Sequence, residues 1–305
     1  MFRIWLFGSL SVAVDDAADD SITINGRCAS LLAYLALGHG RTFSRAELLS
    51  NLWPERSTST SPGSFNTALW RLRRLIERPP LARGDLIVVD RRGAIGLNGP
   101  AGVWLDVDEF TRSVTPGLTK PPERLSDADI DGLRRGLELY KSDILLDVTD
   151  DWALREREKL RRSYLNVLWR LMQLAVIRRD YGEGIRHAQA ILDSDALRED
   201  VHRELMQLLV LNGQRAHALR QFERCRDLLR RELAIPPMRE TMALYQTIVN
   251  SAIGARPEPA HTAPPAIALT AVADDADPHD LIDAARRHLA AADSRLQLSL
   301  KLMDR

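Results

Sequence analysis

Residues 61–78 read SPGSFNTALWRLRRLIER, and this stretch decides how the first hundred residues are interpreted. At 100° per residue its large apolar side chains form one narrow stripe that can pack on a small core: Phe65, Leu69, Leu72 and Ile76. The opposite face carries Asn66, Thr67, Trp70, Arg71, Arg74 and Arg78. A serine-proline pair at the start and two prolines directly after residue 78 predict the two ends of a helix.

The basic face of this helix has two interpretations. Arginine can donate two hydrogen bonds to the edge of a guanine, and it neutralises phosphates. An Arg-bearing helix with threonine and asparagine therefore fits a DNA major groove. A face of this kind is also common on helices that are simply solvated. The helix alone does not decide between the two, and its neighbours in the sequence are needed.

Composition restricts any nucleic-acid signal to part of the chain. Lys plus Arg and Asp plus Glu both number 42, so the whole chain of 305 residues has no net basic charge. Between residues 21 and 105, however, eleven arginines stand against five acidic residues. The length and the 45% hydrophobic content predict a soluble protein of about two domains.

The N-terminus must be distinguished from a targeting segment. Residues 2–14 are mostly apolar and contain one arginine near their start, Arg3, but Gly8 and Ser9 divide them into two β-rich halves. We expect a hairpin and not a signal peptide, and therefore a cytoplasmic protein. No stretch has the 18 or more apolar residues of a membrane span. Cys28 and Cys225 form no CxxC pattern, which predicts no metal site.

The elements around the Arg-bearing helix predict a winged helix-turn-helix. Before it, the pattern predicts strands at 2–7, 10–14 and 21–24 and helices at 29–37 and 44–53. Ser44 to Glu47 has the spacing of a capping box. After it, strands at 86–89 and 94–97 flank the turn Asp90-Arg91-Arg92-Gly93. Such a wing would bring Arg91 and Arg92 to the DNA backbone or minor groove.

These residues resemble a known family. Residues 1 to about 97 resemble the OmpR-type winged helix. Two stretches resemble the Streptomyces antibiotic regulatory protein family of transcriptional activators: GRCASLLAYLALGHGRTFSRAELLSNLWPE and, after it, FNTALWRLRRLIE. Members often carry Gly-Gly-Tyr in the return strand of the wing, where this chain has Gly93-Ala94-Ile95, so the fine contacts of the wing stay open.

The rest of the chain predicts helices. Comparison of the sequence with itself at an offset of 34 residues matches the region after Arg179 with the region after Gly213, which resembles a tetratricopeptide repeat. The segments DW at 151 and DALRE at 195 resemble the bacterial transcriptional activation domain of the same family. We therefore predict a mainly α chain, divided as follows: an OmpR-like α+β winged helix at 1–105, an all-α, tetratricopeptide-like activation domain at 106–251, a disordered Ala/Pro linker at 252–278 and a C-terminal helix at 279–305.

The resemblance implies a sequence-specific transcriptional activator. It would bind direct repeats in promoter DNA as a homodimer and recruit RNA polymerase holoenzyme. The expected DNA-contacting residues, from the helical wheel and the wing, are Asn66, Thr67, Trp70, Arg71, Arg73, Arg74, Arg91 and Arg92. In OmpR-like activators the loop before the recognition helix is offered to polymerase, which implies a contact at Glu55 and Arg56.

A second class of function stays open at this point. The protein could be a repeat-based adaptor whose winged helix contacts another protein, although arginines on both helix and wing favour DNA. The common phosphate-binding, zinc-protease and serine-nucleophile motifs are absent from the sequence, so we expect no enzyme and no cofactor. His187, His202 and His217 lack partners at ligand spacing and are interpreted as surface or packing residues.

Overall fold

The computed structural model describes residues 2–14, 22–53, 63–78, 81–98 and 102–253. The elements follow in this order: β1 Phe2–Trp5, β2 Ser11–Val14, α1 Gly26–Leu37, α2 Arg45–Leu52, α3 Gly63–Ile76, β3 Ile87–Val89, β4 Ile95–Leu97, β5 Val103–Leu105, α4 Asp106–Thr119, α5 Asp127–Leu139, α6 Asp151–Arg178, α7 Tyr181–Ser194, α8 Glu199–Leu211, α9 Arg215–Leu233 and α10 Arg239–Ile253. Residues 252 and 253 of the predicted linker belong to α10, and the rest of that linker and the predicted C-terminal helix lie outside the described residues.

The predicted winged helix-turn-helix is confirmed. Its three helices and both wing strands occur where the apolar pattern places them, with ends that differ by a few residues. The Ser44 side chain accepts a hydrogen bond from the Glu47 N–H at 3.1 Å, as the capping pattern predicts. The third strand predicted at 21–24 is wrong for its described part, residues 22–24. Ile22 donates one hydrogen bond to the Val12 carbonyl at 2.8 Å, and no ladder follows.

The N-terminal sheet has the strand order β2-β1-β5. The central strand β1 runs antiparallel to β2 and parallel to β5. In this register Ile4 lies between Val12 and Leu105, and all three side chains are buried. The sequence analysis missed β5, which is three residues long and leads directly into α4. We call α4 to α10 the helical segment. The sheet of the winged helix is therefore completed by a strand that leads directly into the helical segment.

The Asp106 carboxylate joins this sheet to α4 and is only 2% exposed. Its Oδ2 accepts hydrogen bonds from the backbone N–H groups of Leu6 at 2.8 Å and Phe7 at 2.9 Å. Its Oδ1 accepts from the Val107 N–H at 2.8 Å. Burial raises the pKa of Asp106, and the backbone N–H donors oppose that shift. The carboxylate thus takes the place of a strand partner for two N–H groups that follow β1.

Residues 143–146 hold the other side of the same segment. The N–H of Gly8 donates to the Asp143 carbonyl at 2.9 Å, and the N–H of Leu145 donates to the Leu6 carbonyl at 2.9 Å. One hydrophobic core runs from Phe2 through the winged helix into α4, α5 and α6. Met1–Gly254 accordingly forms one compact unit, and the boundary predicted between residues 105 and 106 lies inside it.

The helical segment consists of packed helix pairs, as the 34-residue period predicts. Helices α6 with α7 and α8 with α9 enclose a second core. Within it, His202 is 2% exposed and its ring bonds the Gln221 amide at 2.7 Å and the Ala196 carbonyl at 3.0 Å. Burial lowers the pKa of His202, so the ring is a neutral packing residue, as expected from the sequence. In the described part of the chain, the helices are all too short or too polar to cross a membrane.

The Asp106 joint can be tested by substitution. Asp106→Ala removes the acceptor of three N–H donors, those of Leu6, Phe7 and Val107, so the free energy of unfolding should fall by about 2–4 kcal/mol. Urea unfolding of the full chain, followed by circular dichroism, measures the change. The control is Asp131→Ala, which removes an exposed carboxylate from α5 and should change stability by less than about 0.5 kcal/mol. Equal effects of the two substitutions would contradict a structural role for Asp106.

Candidate nucleic-acid interface

Helix α3 is fixed by its apolar stripe. Phe65, Leu72 and Ile76 are fully buried, as the helical wheel predicts. The Phe65 ring meets the Trp53 ring edge to face, with centroids 5.6 Å apart. The Ala68 carbonyl lies 3.6 Å from the Cys28 sulfur of α1. This packing leaves one rotational setting for α3 and turns its polar face outward.

The polar face of α3 is exposed even though the helical segment is present. The Trp70 side chain is 50% exposed, and the Arg74 guanidinium lies over its ring at 5.4 Å from the centroid. The exposed residues of this face are Asn66, Thr67, Trp70, Arg71 and Arg74. Five of the six residues predicted on α3 therefore lie together on one accessible surface, which we call the α3 face.

Arg73, the sixth predicted residue, occupies a different position. Its guanidinium is partly buried and donates a hydrogen bond to the Ile87 carbonyl of β3 at 2.9 Å. One turn further on, the Glu77 carboxylate accepts from the N–H groups of Leu86 at 3.2 Å and Ile87 at 2.9 Å. Arg73 and Glu77 together attach the base of the wing to α3. Arg73 is thus placed to position the wing and is separated from Arg71 and Arg74.

The tip of the wing has a defined conformation. The Asp90 carboxylate accepts hydrogen bonds from the N–H groups of Arg92 and Ala94, both at 2.8 Å. Gly93 has a φ of +82°, in the region that favours glycine, and closes the turn. The side chains of Arg91 and Arg92 are exposed. The two predicted wing arginines therefore project from a turn that its own aspartate holds in shape.

The wing is also attached to the connection between α1 and α2. Phe43 and Ile95 exchange two backbone hydrogen bonds, each 2.8 Å long. A side chain at Gly96 would collide with the Arg41 carbonyl, so glycine is needed for this close approach. The wing, the α1–α2 connection and α3 are consequently parts of one rigid frame.

The charge of this frame is unbalanced. Among the described residues, no carboxylate lies within ion-pairing distance of Arg71, Arg74, Arg91 or Arg92. A concentration of uncompensated guanidinium groups on one surface attracts a polyanion. Over the same residues we find no cluster of histidine, cysteine and carboxylate side chains that could hold a metal ion. The chemistry available on this surface is anion binding and hydrogen-bond donation.

Sequence reasoning missed Arg45, the first residue of α2. Its side chain is exposed, donates a hydrogen bond to the Asn66 Oδ1 of α3 and lies over the Phe65 ring at 4.9 Å. The sequence did contain an indication of this contact. A cation at the N-terminus of a helix interacts unfavourably with the helix dipole, which suggests that its side chain contacts another element. The two residues predicted to contact RNA polymerase, Glu55 and Arg56, lie outside the described residues.

Helix α1 separates α3 from the helical segment. Its Tyr34 ring meets the Trp152 ring of α6 edge to face at 5.1 Å. At its ends, Arg27 pairs with Asp150 of the helical segment at 3.3 Å, and the His39 ring lies 2.8 Å from the Asp108 carboxylate. The helical segment therefore packs on α1, and it leaves the α3 face uncovered.

Comparison with known proteins agrees with this architecture. Residues 19–93 match the family model of the transcriptional regulatory protein C-terminal domain, and residues 105–249 match that of the bacterial transcriptional activator domain. The regulatory protein AfsR of Streptomyces coelicolor is 28% identical over 227 residues, which are 73% of this chain and 22% of AfsR. The transcriptional regulator RedD of the same organism is 24% identical over 234 residues, 74% of this chain and 65% of RedD. The chain thus matches about a fifth of AfsR and about two thirds of RedD.

A solved structure shows the same fold. Mycobacterium tuberculosis EmbR, determined in complex with a low-affinity phosphopeptide, superposes with a TM-score of 0.66 at 17% sequence identity. The match covers 82% of this chain and 65% of EmbR. Winged helix and helical repeats therefore occur in the same order in a known structure. With both domains matched in this order, the chain combines an OmpR-type winged helix with a bacterial transcriptional activator domain, and it is homologous to AfsR and RedD, regulators of the Streptomyces antibiotic regulatory protein family.

Proposed function

We propose that this regulator is a sequence-specific, DNA-binding transcriptional activator. Helix α3 enters the major groove, and the wing tip reaches the neighbouring backbone or minor groove. The observation that carries the proposal is the joint display of exposed arginines on α3 and on the wing tip of one rigid frame, with no ion-pair partner among the described residues. An adaptor that binds a protein through its winged helix has no need for cations at both places.

The α3 face divides into base-reading and backbone-contacting positions. Thr67 and Arg71 are exposed, lie one turn apart on α3 and are assigned to base edges. Trp70 and Arg74 form a stacked pair and are assigned to the sugar-phosphate backbone or to its edge. Arg73 is left out of the contact set because its guanidinium is occupied by the wing.

The arrangement that we propose on the promoter is supported by the resemblance to the Streptomyces antibiotic regulatory protein family. Two copies would occupy tandem direct repeats side by side as a homodimer on DNA and recruit RNA polymerase holoenzyme. The cytoplasm is the proposed place of action, because bacterial promoters and polymerase are found there. The function requires binding alone, with no catalytic step and no cofactor.

Arg71 should act as a specificity residue. Replacing it with alanine should weaken binding to the preferred duplex by about 1–3 kcal/mol and relax the preference at one base pair, because a bidentate hydrogen bond to guanine is lost. Binding is measured by fluorescence anisotropy with the preferred duplex and a random duplex. The matched control is Arg124→Ala, which removes one exposed charge from the helical segment. If Arg71→Ala weakened both duplexes equally, Arg71 would be a phosphate contact.

The wing tip should act through phosphates. Each neutralised phosphate contributes about 0.9 to the slope of log K against log salt, so replacing Arg91 and Arg92 with alanine should lower that slope by about one to two units. The preferred sequence should stay the same. The control chain carries Arg112→Ala and Arg124→Ala and should keep the parental slope. An unchanged slope in the wing variant would place the hairpin away from DNA, and a parental slope near zero would favour the adaptor function.

The polymerase contact can be separated from DNA binding. The segment that contains Glu55 and Arg56 is polar in sequence, and the resemblance to OmpR-like activators implies an activating surface at this position. Replacing both residues with alanine should leave the affinity for promoter DNA nearly unchanged and lower transcription from the target promoter several-fold. Reconstituted transcription alongside a binding assay distinguishes the two effects. A double variant that binds and activates like the parent would move the polymerase contact to the helical segment.

A further inference from the structure

Arg45 links the two helices of the helix-turn-helix through a hydrogen bond. Its guanidinium donates to the Oδ1 of Asn66, which lies in the first turn of α3. The first turn of a recognition helix is the part that lies closest to the base edges. Asn66 is exposed and belongs to the α3 face. Any hydrogen bond that Asn66 makes to a base is therefore made by an amide that Arg45 already holds.

The identity of the partner atoms fixes the orientation of this amide. An arginine side chain has five N–H donors and no acceptor, so the Asn66 atom that faces it must be the oxygen. The amide nitrogen, with its two N–H donors, then points away from Arg45. In free asparagine the amide can turn over and present either atom. Here the guanidinium selects one of the two orientations.

Arg45 has support that keeps it in place. Its guanidinium lies over the Phe65 ring at 4.9 Å, and Phe65 is fully buried against Trp53. The position itself is unfavourable for a cation, because Arg45 is the first residue of α2, where the helix dipole is positive. The contacts with Phe65 and Asn66 offset that cost. The side chain therefore has a preferred place beside α3.

A held amide reads DNA differently from a free one. Asparagine commonly recognises adenine with two hydrogen bonds, in which its oxygen accepts from N6 and its nitrogen donates to N7. Arg45 occupies one lone pair of the oxygen and turns that oxygen toward α2, so the amide nitrogen with its N–H donors is the atom directed outward. Guanine presents two acceptors in the major groove, and thymine presents O4, whereas cytosine presents a donor. A guanidinium beside the oxygen also repels the amino group of adenine.

We propose that Arg45 is a positioning residue that makes Asn66 a donor-only reader, so that the base beneath Asn66 is guanine or thymine and not adenine. This inference rests on the proposed function, because it requires α3 to lie in a major groove. It assigns a base class to one position of the binding site. It also assigns a role in specificity to a residue outside the recognition helix.

The experiment determines the preferred duplex first and then the effect of Arg45. The full-length wild-type chain selects its binding site from a random-sequence library. All four base pairs are then compared at every position of that site, for wild type and for Arg45→Ala. With the oxygen released, adenine should gain about tenfold relative to guanine at one position, which corresponds to one good bidentate contact. Asn66→Ala, and the double variant with Arg45→Ala, should remove both the preference and the gain.

Arg41→Ala is the matched control. Arg41 is also an exposed arginine beside the start of α2, but it pairs with Glu47 and lies over the Phe43 ring at 4.1 Å. Its loss removes the same charge without touching Asn66. It should weaken all duplexes by a similar factor and leave the base preference unchanged. Any effect of charge alone is measured in this way.

A second variant covers the case in which Arg45→Ala fails to fold. In Asn66→Asp the carboxylate keeps its bond to Arg45 and presents an acceptor outward, so the preference should move to cytosine or adenine. The inference is overturned if the base preference stays unchanged in both variants. It is also overturned if Arg45→Ala weakens all duplexes equally and lowers the salt slope by about one, since Arg45 is then a phosphate contact. A wild-type chain without any sequence preference would refute the proposed function itself.

Discussion

Two backbone N–H groups at the end of β1 find their acceptor a hundred residues later in the chain, in the buried carboxylate of Asp106. A buried carboxylate is stable only when its lone pairs are used, so this joint forms only when strand and helix come together. The same strand accepts β5 along one edge. The winged helix therefore completes its sheet with β5, the strand that leads directly into the helical segment. This long-range closure explains why the two parts share one core and form one compact unit.

The frame that displays the arginines depends on a second pair of polar contacts, which are partly buried. Arg73 and Glu77 bond opposite groups of the same backbone stretch, one a carbonyl and the other two N–H groups. A charge-assisted bond of this kind fixes distance as well as direction. The wing arginines consequently keep a constant position relative to Arg71 and Arg74. A chain with equal numbers of acidic and basic residues can thus present a strongly positive surface in one place.

The sequence predicted what depends on neighbours along the chain. Apolar periodicity gave the helices and the wing, and a capping pattern gave the start of α2. The sequence did not predict β5, because its partner strand lies a hundred residues away. It also did not predict the roles of Arg73 and Arg45, because contacts between elements determine them. Gly38, directly after α1, is another position set by contacts between elements. Its φ is −100°, and glycine is needed because a side chain there would collide with the Phe43 ring. The α3 face was predictable because one helix carries it.

Helix α1 contributes to the orientation of the helical segment relative to α3. One side of α1 contacts α3 through Cys28 and Ala68, and another contacts α6 through the rings of Tyr34 and Trp152. The ion pairs at its ends are partly exposed and contribute little energy, so the orientation rests on the apolar contacts. Because Trp152 is only 4% exposed, the helical segment cannot turn without exposing that ring. If α3 lies in a major groove, as proposed above, the direction of the helical segment relative to that groove is therefore fixed. On the proposed direct repeats, two copies would present their helical segments in the same direction, so that any contact between them joins different surfaces of the two copies.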